Sequence, residues 1–527
     1  MRPKLGADVS RYGVALITLI MCVLGVVGYF GMQKESFHLD ELYTYGFANG
    51  YDHPFINPED DMMKWHTSSY YNDYLTVQAD QRFAYRSIYD TQSKDWHPPL
   101  YSFCIHTICS FFPNSFSKWY GIGFNMLFLS GTLLILYRFS LLLVNNKPLA
   151  LITCAAYGLS AGAISSALFI RMYMMLIFFT LFTTYLHGLL VVKQKDLTRL
   201  MIVIAGVNIV GFLTHYLYAT YAIIIACCYS VYLLKHRRYS EMTIYGALML
   251  CSAALSVVLF PACLHMLSVN VESVVNGAGA GGYFIKVMLF TWILTEDLFG
   301  GPTLSLIIVL SFATILFLRK INPVRVVIDS GVGKEQRSFL LILIVAAFLT
   351  FLGNVKISPY QDSWRYVYNL YPIIVLTAVT FIWIFIDSLN DRRTIFTNSM
   401  VIGIICFSIG ISLSQGKVDY LYRGKAENLS SIMSAYNKYP ALCVSEDTHN
   451  MTIAIPLLKL HQTSCYVATG SVAQDVSIMF AKNEQTLPTW GPFVLYVPHW
   501  NSVQESDSVI LDNLIENAGF NSYTKMF

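Results

Sequence analysis

The stretch ESFHLDELYTYGFANG, Glu35 to Gly50, sets two adjacent carboxylates, Asp40 and Glu41, directly after the apolar run Tyr12–Met32. Apolar and aromatic neighbours surround the pair. A carboxylate partly withdrawn from water there is a better proton acceptor near neutrality. Two neighbouring acids could instead hold a divalent cation, or simply be solvated loop charges. Three further stretches carry chemistry at the edges of apolar runs. FIRMYM places Arg171 at a helix junction, and DSWRYVYNLYP places Arg365 beside Trp364 and Tyr366 just before another run. A guanidinium fork binds phosphate through paired hydrogen bonds, while snorkelling to lipid headgroups is the plainer role for an arginine at a helix end. DWHPPLY offers His97 as base, ligand or hydrogen-bond donor, and FLTHYLYATY offers His215 and Tyr216 at a turn between helices.

A carboxylate, a histidine and two arginines around membrane-embedded loops suit displacement at a sugar carbon by an acceptor hydroxyl. A lipid phosphate would be the leaving group. That phosphate is already a weak base and needs no general acid. Arg365 or Arg171 could stabilise its charge, and Asp40 could take the acceptor proton. Glycosidases need two carboxylates because their leaving group must be protonated; a lipid-phosphate transferase can manage with one.

These residues must be positioned by a chain that is mostly apolar. Its 527 residues are 55% hydrophobic and 13% charged, with mean hydropathy +0.51. Soluble globular domains carry about 25% charged residues, so lipid is the expected solvent. The net charge of +3, from 35 basic and 32 acidic residues, argues against a nucleic-acid partner. Eleven spans are expected, at about 12–32, 119–140, 148–169, 173–192, 199–214, 216–234, 241–265, 301–318, 338–355, 366–387 and 398–415. With the N-terminus inside, the basic loops (RPK with Arg11, Arg138–Lys147, Lys193–Arg199, Lys235–Glu241, Arg319–Arg325 with Lys334–Arg337, and Asp391–Arg393) all fall on the inner face. The outer face then receives the loop 33–118, the turns at Arg171 and Arg365, the loop 266–300 and the tail 416–527. HPPLYSFCIHTICSFF, from His97, is too short to span and is expected as an interfacial helix started by its proline pair. Residues 283–299 are a second interfacial candidate.

The tail alternates β-rich runs (ALCVSE, TSCYVATG, PFVLYVP) with helical ones (NLSSIMSAYNKY, DSVILDNLIENAG), the pattern of a small α/β domain. The chain therefore divides into a membrane catalytic domain, 1–415, and an outer-face domain, 416–527. Most of the eleven cysteines lie in apolar runs and act as small hydrophobes; Cys443 and Cys465 in the tail could pair.

Taken in order, HLDELYTYGFANG, WHPPLY, FIRMYM, LTHYLY and WRYVYNLYP make the chain resemble the GT-C superfamily of polyprenyl-phosphate-sugar-dependent glycosyltransferases. The likeness covers residues 1 to about 415. It is greatest to the branch of protein O-mannosyltransferases, aminoarabinose transferases and bacterial family-39-like members. The resemblance implies a GT-C-like α-helical polytopic fold and inverting transfer. It implies Asp40 as base with Glu41 assisting or organising the loop, and Arg365 on the donor phosphate. His97, Arg171, Tyr173, His215 and Tyr366 join as substrate-binding residues. Tyr173 stands where the mannosyltransferase branch has an acid, so neither that branch's substrate nor a second acidic site is carried over to this chain. The implied partners are a polyprenyl-phosphate sugar, a glycan, lipid or protein acceptor, and membrane lipid, in a cytoplasmic membrane. The motifs show no cofactor requirement, though a divalent metal could sit at the acidic pair. A lipid-linked-sugar flippase, a glycan polymerase or ligase with a lipid-diphosphate donor, and a membrane-anchored scaffold are the alternatives. No internal repeat of the transporter kind is present, and the polar groups gather at one face.

Overall fold

The computed structural model describes residues 5–51, 64–95, 97–265, 280–318, 332–358, 364–389, 394–414, 416–422, 436–445, 448–468 and 494–496. The chain is a helical multi-pass membrane protein. Among the described residues eight helices are long and apolar enough to cross a bilayer, or up to ten if each of two sharply bent pairs counts as one span. Two compact units interleave in sequence. One comprises 1–33, 93–101 and 121–421; the other comprises 34–92, 102–120 and 422–527.

The first unit holds the long helices: α1 (Leu5–Met32), most of α6 (Lys118–Val144), then α7 (Lys147–Gly158), α8 (Ala161–Leu168), α9 (Tyr173–Val192), α10 (Leu197–Thr214), α11 (Leu217–Lys235) and α12 (Tyr239–Leu259). After them come α13 (Ala280–Phe299), α14 (Pro302–Leu318), α15 (Lys334–Ile357), a 3-10 turn (Trp364–Leu370), α16 (Tyr371–Leu389) and α17 (Thr394–Ser414). Their lengths follow from uninterrupted apolar runs, since about 20 residues at 1.5 Å each cross the hydrocarbon.

Two expected spans are corrected. The span at 148–169 is bent by 57° between α7 and α8. Ser160 adopts an extended conformation there and its Oγ accepts from Ala163 N–H at 3.2 Å, so the serine starts a new helix instead of continuing the old one. The interfacial candidate 283–299 and the span 301–318 form one pair turned through 84°. Gly300 and Gly301 lie at φ +77° and +115°, which side chains rarely adopt, and Pro302 opens the next helix.

The second unit contains α2 (Leu39–Asn49), β1 (Trp65–Thr67), α3 (Ser68–Leu75), α4 (Tyr85–Gln92) and most of α5 (Leu100–Phe111), together with β2 (Ala441–Ser445), α18 (Thr448–Leu458), β3 (Thr463–Ala468) and β4 (Val494–Tyr496). Helix α5 starts just after the proline pair and its 12 residues reach about 18 Å, short of a bilayer. The sheet order is β1-β3-β2-β4. Strands β2–β3 and β2–β4 are parallel, with α18 as the crossover between β2 and β3. All three expected tail strands are present. The edge strand β1 comes from the first loop and runs antiparallel to β3, Trp65 opposite Cys465. The expected helix 507–519 and most of the one at 428–439 lie outside the described residues, as does the Cys465 side chain of the candidate pair with Cys443.

Candidate functional site

The acidic motif belongs to the second unit and opens α2. His38 caps the helix: its Nδ1 accepts from Asp40 N–H at 3.0 Å, while Glu41 Oε2 accepts from His38 N–H at 2.7 Å. This is a capping box with histidine in the usual place of serine. Glu41 Oε2 also receives Lys34 Nζ at 2.9 Å, and neither side chain of that pair is exposed. Burial draws the Lys34 ammonium down from its ordinary pKa, with Glu41 opposing that shift. Glu41 is thus committed to the helix start and to a buried cation. Asp40 is different. Its side chain is 23% exposed, with Oδ2 3.8 Å from His38 Nδ1. Of the adjacent acids, Asp40 is the one that water or a substrate can reach.

In the first unit, a second group forms where several helices end. Arg171 lies in the turn 169–172 between α8 and α9. Asn125 of α6 pins that turn: its Nδ2 donates to Ala167 O at 3.2 Å and to Phe169 O at 2.7 Å, and its Oδ1 accepts from Tyr101 OH at 3.2 Å. These carbonyls lie at the α8 terminus, where no further helical turn can satisfy them. Gly121 lets α6 approach, because a Cβ there would meet Ile170 Cγ2 at 2.1 Å. Gly121→Val is therefore expected to push the 169–172 turn out of place. Its measurable result is weakened phosphate binding together with a lowered Tm of the purified chain.

Arg171 Nη2 lies 3.3 Å from His97 Nε2, and His97 Nδ1 lies 2.9 Å from Asp95 Oδ2. A guanidinium only donates, so Nε2 accepts and Nδ1–H donates to Asp95. His215 follows α10 in extended conformation. Its ring centroid is 5.7 Å from that of His97, 5.5 Å from Tyr173 and 6.5 Å from Tyr366. Leu217 N–H donates to its Nδ1 at 3.0 Å, so the ring proton sits on Nε2, which has no hydrogen-bond partner among the described residues. Arg365 lies on the 3-10 turn with its Cζ 5.8 Å from the Phe169 ring centroid. Asn354 holds that turn, donating to Tyr366 O at 2.9 Å and accepting from Thr220 Oγ1 at 2.9 Å.

His97, Arg171, Tyr173, His215, Arg365 and Tyr366 thus meet in one place, while Asp40 and Glu41 lie in the other unit. Two permanent cations stand near an imidazole N–H, an arrangement suited to a phosphate-like anion. His215 is held well below its ordinary pKa, first by burial and then by the neighbouring His97 and the positive charges of Arg171 and Arg365. With the folded value depressed, the unfolded chain takes the proton first as pH falls. His215 should therefore cost stability below about pH 6.5, by up to about 1.4 kcal/mol per pH unit. Unfolding followed between pH 7.5 and 5 should show a steeper loss for the wild type than for His215→Gln. Sequence reasoning passed over Asn125, Asn354 and Phe169 because a polar or aromatic residue in an apolar run carries no mark of its distant partner. Asp95, two residues before His97, was the legible one. Among the described residues no group of three His, Cys, Asp or Glu is placed to hold a metal ion.

No family model and no curated protein sequence matches the chain. Among solved structures it is similar to ArnT from Cupriavidus metallidurans bound to undecaprenyl phosphate, with 11% identity, TM-score 0.49, and coverage of 94% of this chain and 90% of that one. It is also similar to the archaeal oligosaccharyltransferase AglB from Archaeoglobus fulgidus in complex with an inhibitory peptide and a dolichol-phosphate. There the identity is 11% and the TM-score 0.44, over 85% of this chain and 64% of that one. Both scores are below 0.5, so the functional reading rests on this chain's own residues.

Proposed function

We propose that the protein is an integral-membrane glycosyltransferase that moves a sugar from a polyprenyl-phosphate donor to an acceptor hydroxyl or amine at the outer face of a cytoplasmic membrane. The observation that supports this reading is the meeting of Arg171, Arg365 and the His215 Nε2–H in a chain whose other helices are built for lipid. A membrane-anchored phosphate would bring its charge to such a group. The guanidinium forks grip phosphate oxygens and offset the charge that grows as the sugar–oxygen bond breaks. The leaving phosphate needs no proton, so one base is enough, and Asp40 is that base. Inversion at the sugar carbon follows from a single displacement. The resemblance of the motifs to the GT-C superfamily is what favours a lipid monophosphate over a diphosphate. The orientation proposed with it puts the N-terminus in the cytoplasm and the tail outside.

The test is a panel of labelled polyprenyl-phosphate monosaccharides added to membranes that contain the chain. Loss of label from the lipid identifies a transferase, and the donor consumed names the sugar. Label that changes leaflet without leaving its lipid would make the protein a transporter and end the transferase reading. In the same assay Arg365→Gln should lower transfer by about 10- to 100-fold, because a charge-assisted hydrogen bond is worth roughly 1.5–3 kcal/mol. Arg365→Lys should recover only part of it, since a point charge lacks the planar fork.

A further inference from the structure

The residues that follow the last long helix form a strap across the first unit. Lys417 Nζ pairs with Glu296 Oε1 at 3.1 Å, and Asp419 N–H donates to Ser165 Oγ of α8 at 2.9 Å. Val418 and Leu421 are buried. Between these anchors Tyr420 has φ +65°. A bulky residue in the left-handed region is a true outlier and persists only where its surroundings over-determine it. Here the turned backbone lays the Tyr420 ring flat on Phe169, with centroids 4.1 Å apart and planes 8° from parallel. Phe169 is the residue whose ring lies under the Arg365 guanidinium, and it begins the turn that carries Arg171.

We propose that Tyr420 is a positioning residue of the anion site, held in a strained conformation so that its ring fixes Phe169 and, through Phe169, both the Arg365 guanidinium over that ring and the turn that carries Arg171. The inference rests on the phosphate-binding reading of that site. In this role Tyr420 acts through Phe169. It limits how far the Phe169 ring can tilt, and so how widely the Arg365 guanidinium ranges over it. The backbone strain is borne by the Lys417–Glu296 and Asp419–Ser165 contacts on one side and by buried Leu421 on the other.

The experiment uses the full-length chain in detergent, titrated calorimetrically with farnesyl phosphate, a polyprenyl monophosphate without a sugar. Tyr420→Gly removes the ring and accepts φ +65° without strain, so the backbone keeps its path. It should lower the Tm through the lost burial of the ring and, titrated well below that Tm where the chain is fully folded, weaken binding about three- to tenfold, the value of one aromatic pair. Tyr420→Phe keeps the ring and should bind as the wild type does. Where donor turnover is measurable, the glycine variant should raise donor KM and spare kcat. Unchanged binding in Tyr420→Gly would overturn the proposal. So would a binding loss that disappears when the titration is made well below the Tm of the variant, which would make Tyr420 a stabilising residue and nothing more. Wild type that binds farnesyl phosphate but transfers no sugar would leave Tyr420 in its role and remove the transferase. Wild type that binds no farnesyl phosphate would remove both.

Discussion

Asp40→Asn should lower sugar transfer by about 10²–10⁴-fold, the usual contribution of a positioned general base, while farnesyl phosphate binds as tightly as to the wild type. The substitution keeps the shape of the side chain and the backbone contacts of α2, namely Asp40 N–H to His38 Nδ1 and Thr44 Oγ1 to Asp40 O. It removes the negative charge and with it the ability to accept a proton. A fall in transfer with binding retained would assign Asp40 to the chemical step. Equal transfer by both proteins would exclude it and direct attention to His97, whose Nδ1 is already oriented by Asp95. The pH profile of transfer adds a second readout: the acid limb should vanish in Asp40→Asn, because no carboxylate is left to be protonated.

Glu41→Gln should act on folding more than on chemistry. Lys34 and Glu41 are a fully buried pair, and Glu41 also accepts the His38 N–H that closes the start of α2. Removing one charge from such a pair leaves the other stranded without solvent, at a cost of about 3–5 kcal/mol. Thermal unfolding of the purified chain should show the loss directly. The double change Lys34→Met with Glu41→Leu should recover most of it, since apolar residues of similar size can replace a buried ion pair with little penalty. A Glu41→Gln protein that keeps its Tm and loses transfer would instead make Glu41 part of the reaction. The two neighbouring acids are therefore separable: one variant fails in turnover and the other in stability.

The difference between these acids shows what a sequence hides. Both stand in the same motif, and both are flanked by the same apolar side chains. Glu41 finds Lys34 seven residues earlier, across the gap between α1 and α2, where no helical or strand period relates them. Local pattern was enough for the helices themselves, because each needs only an unbroken apolar run. It was enough for the three tail strands as well, whose β-rich runs are short but bounded. It was not enough for β1, three residues long, which is a strand only because β3 lies beside it. Nor did it reveal the breaks at Ser160 and Gly300–Gly301, where a single cap or a pair of positive φ angles outweighs an apolar run that continues past them.

The same division applies to the anion site. Arg171, His215 and Arg365 each mark the end of an apolar segment, and a charge or imidazole at a helix end is visible in one dimension. Sequence by itself therefore determined the lipid-embedded helices and the polar residues left at their ends. Only the tertiary structure decided which of those ends converge. Convergence depends on Asn125 and Asn354 satisfying backbone carbonyls on other segments, on Gly121 admitting Ile170, and on Tyr420 stacking on Phe169. Each of these contacts joins two separate segments of the chain, and such pairings carry free energy without leaving any period in the sequence.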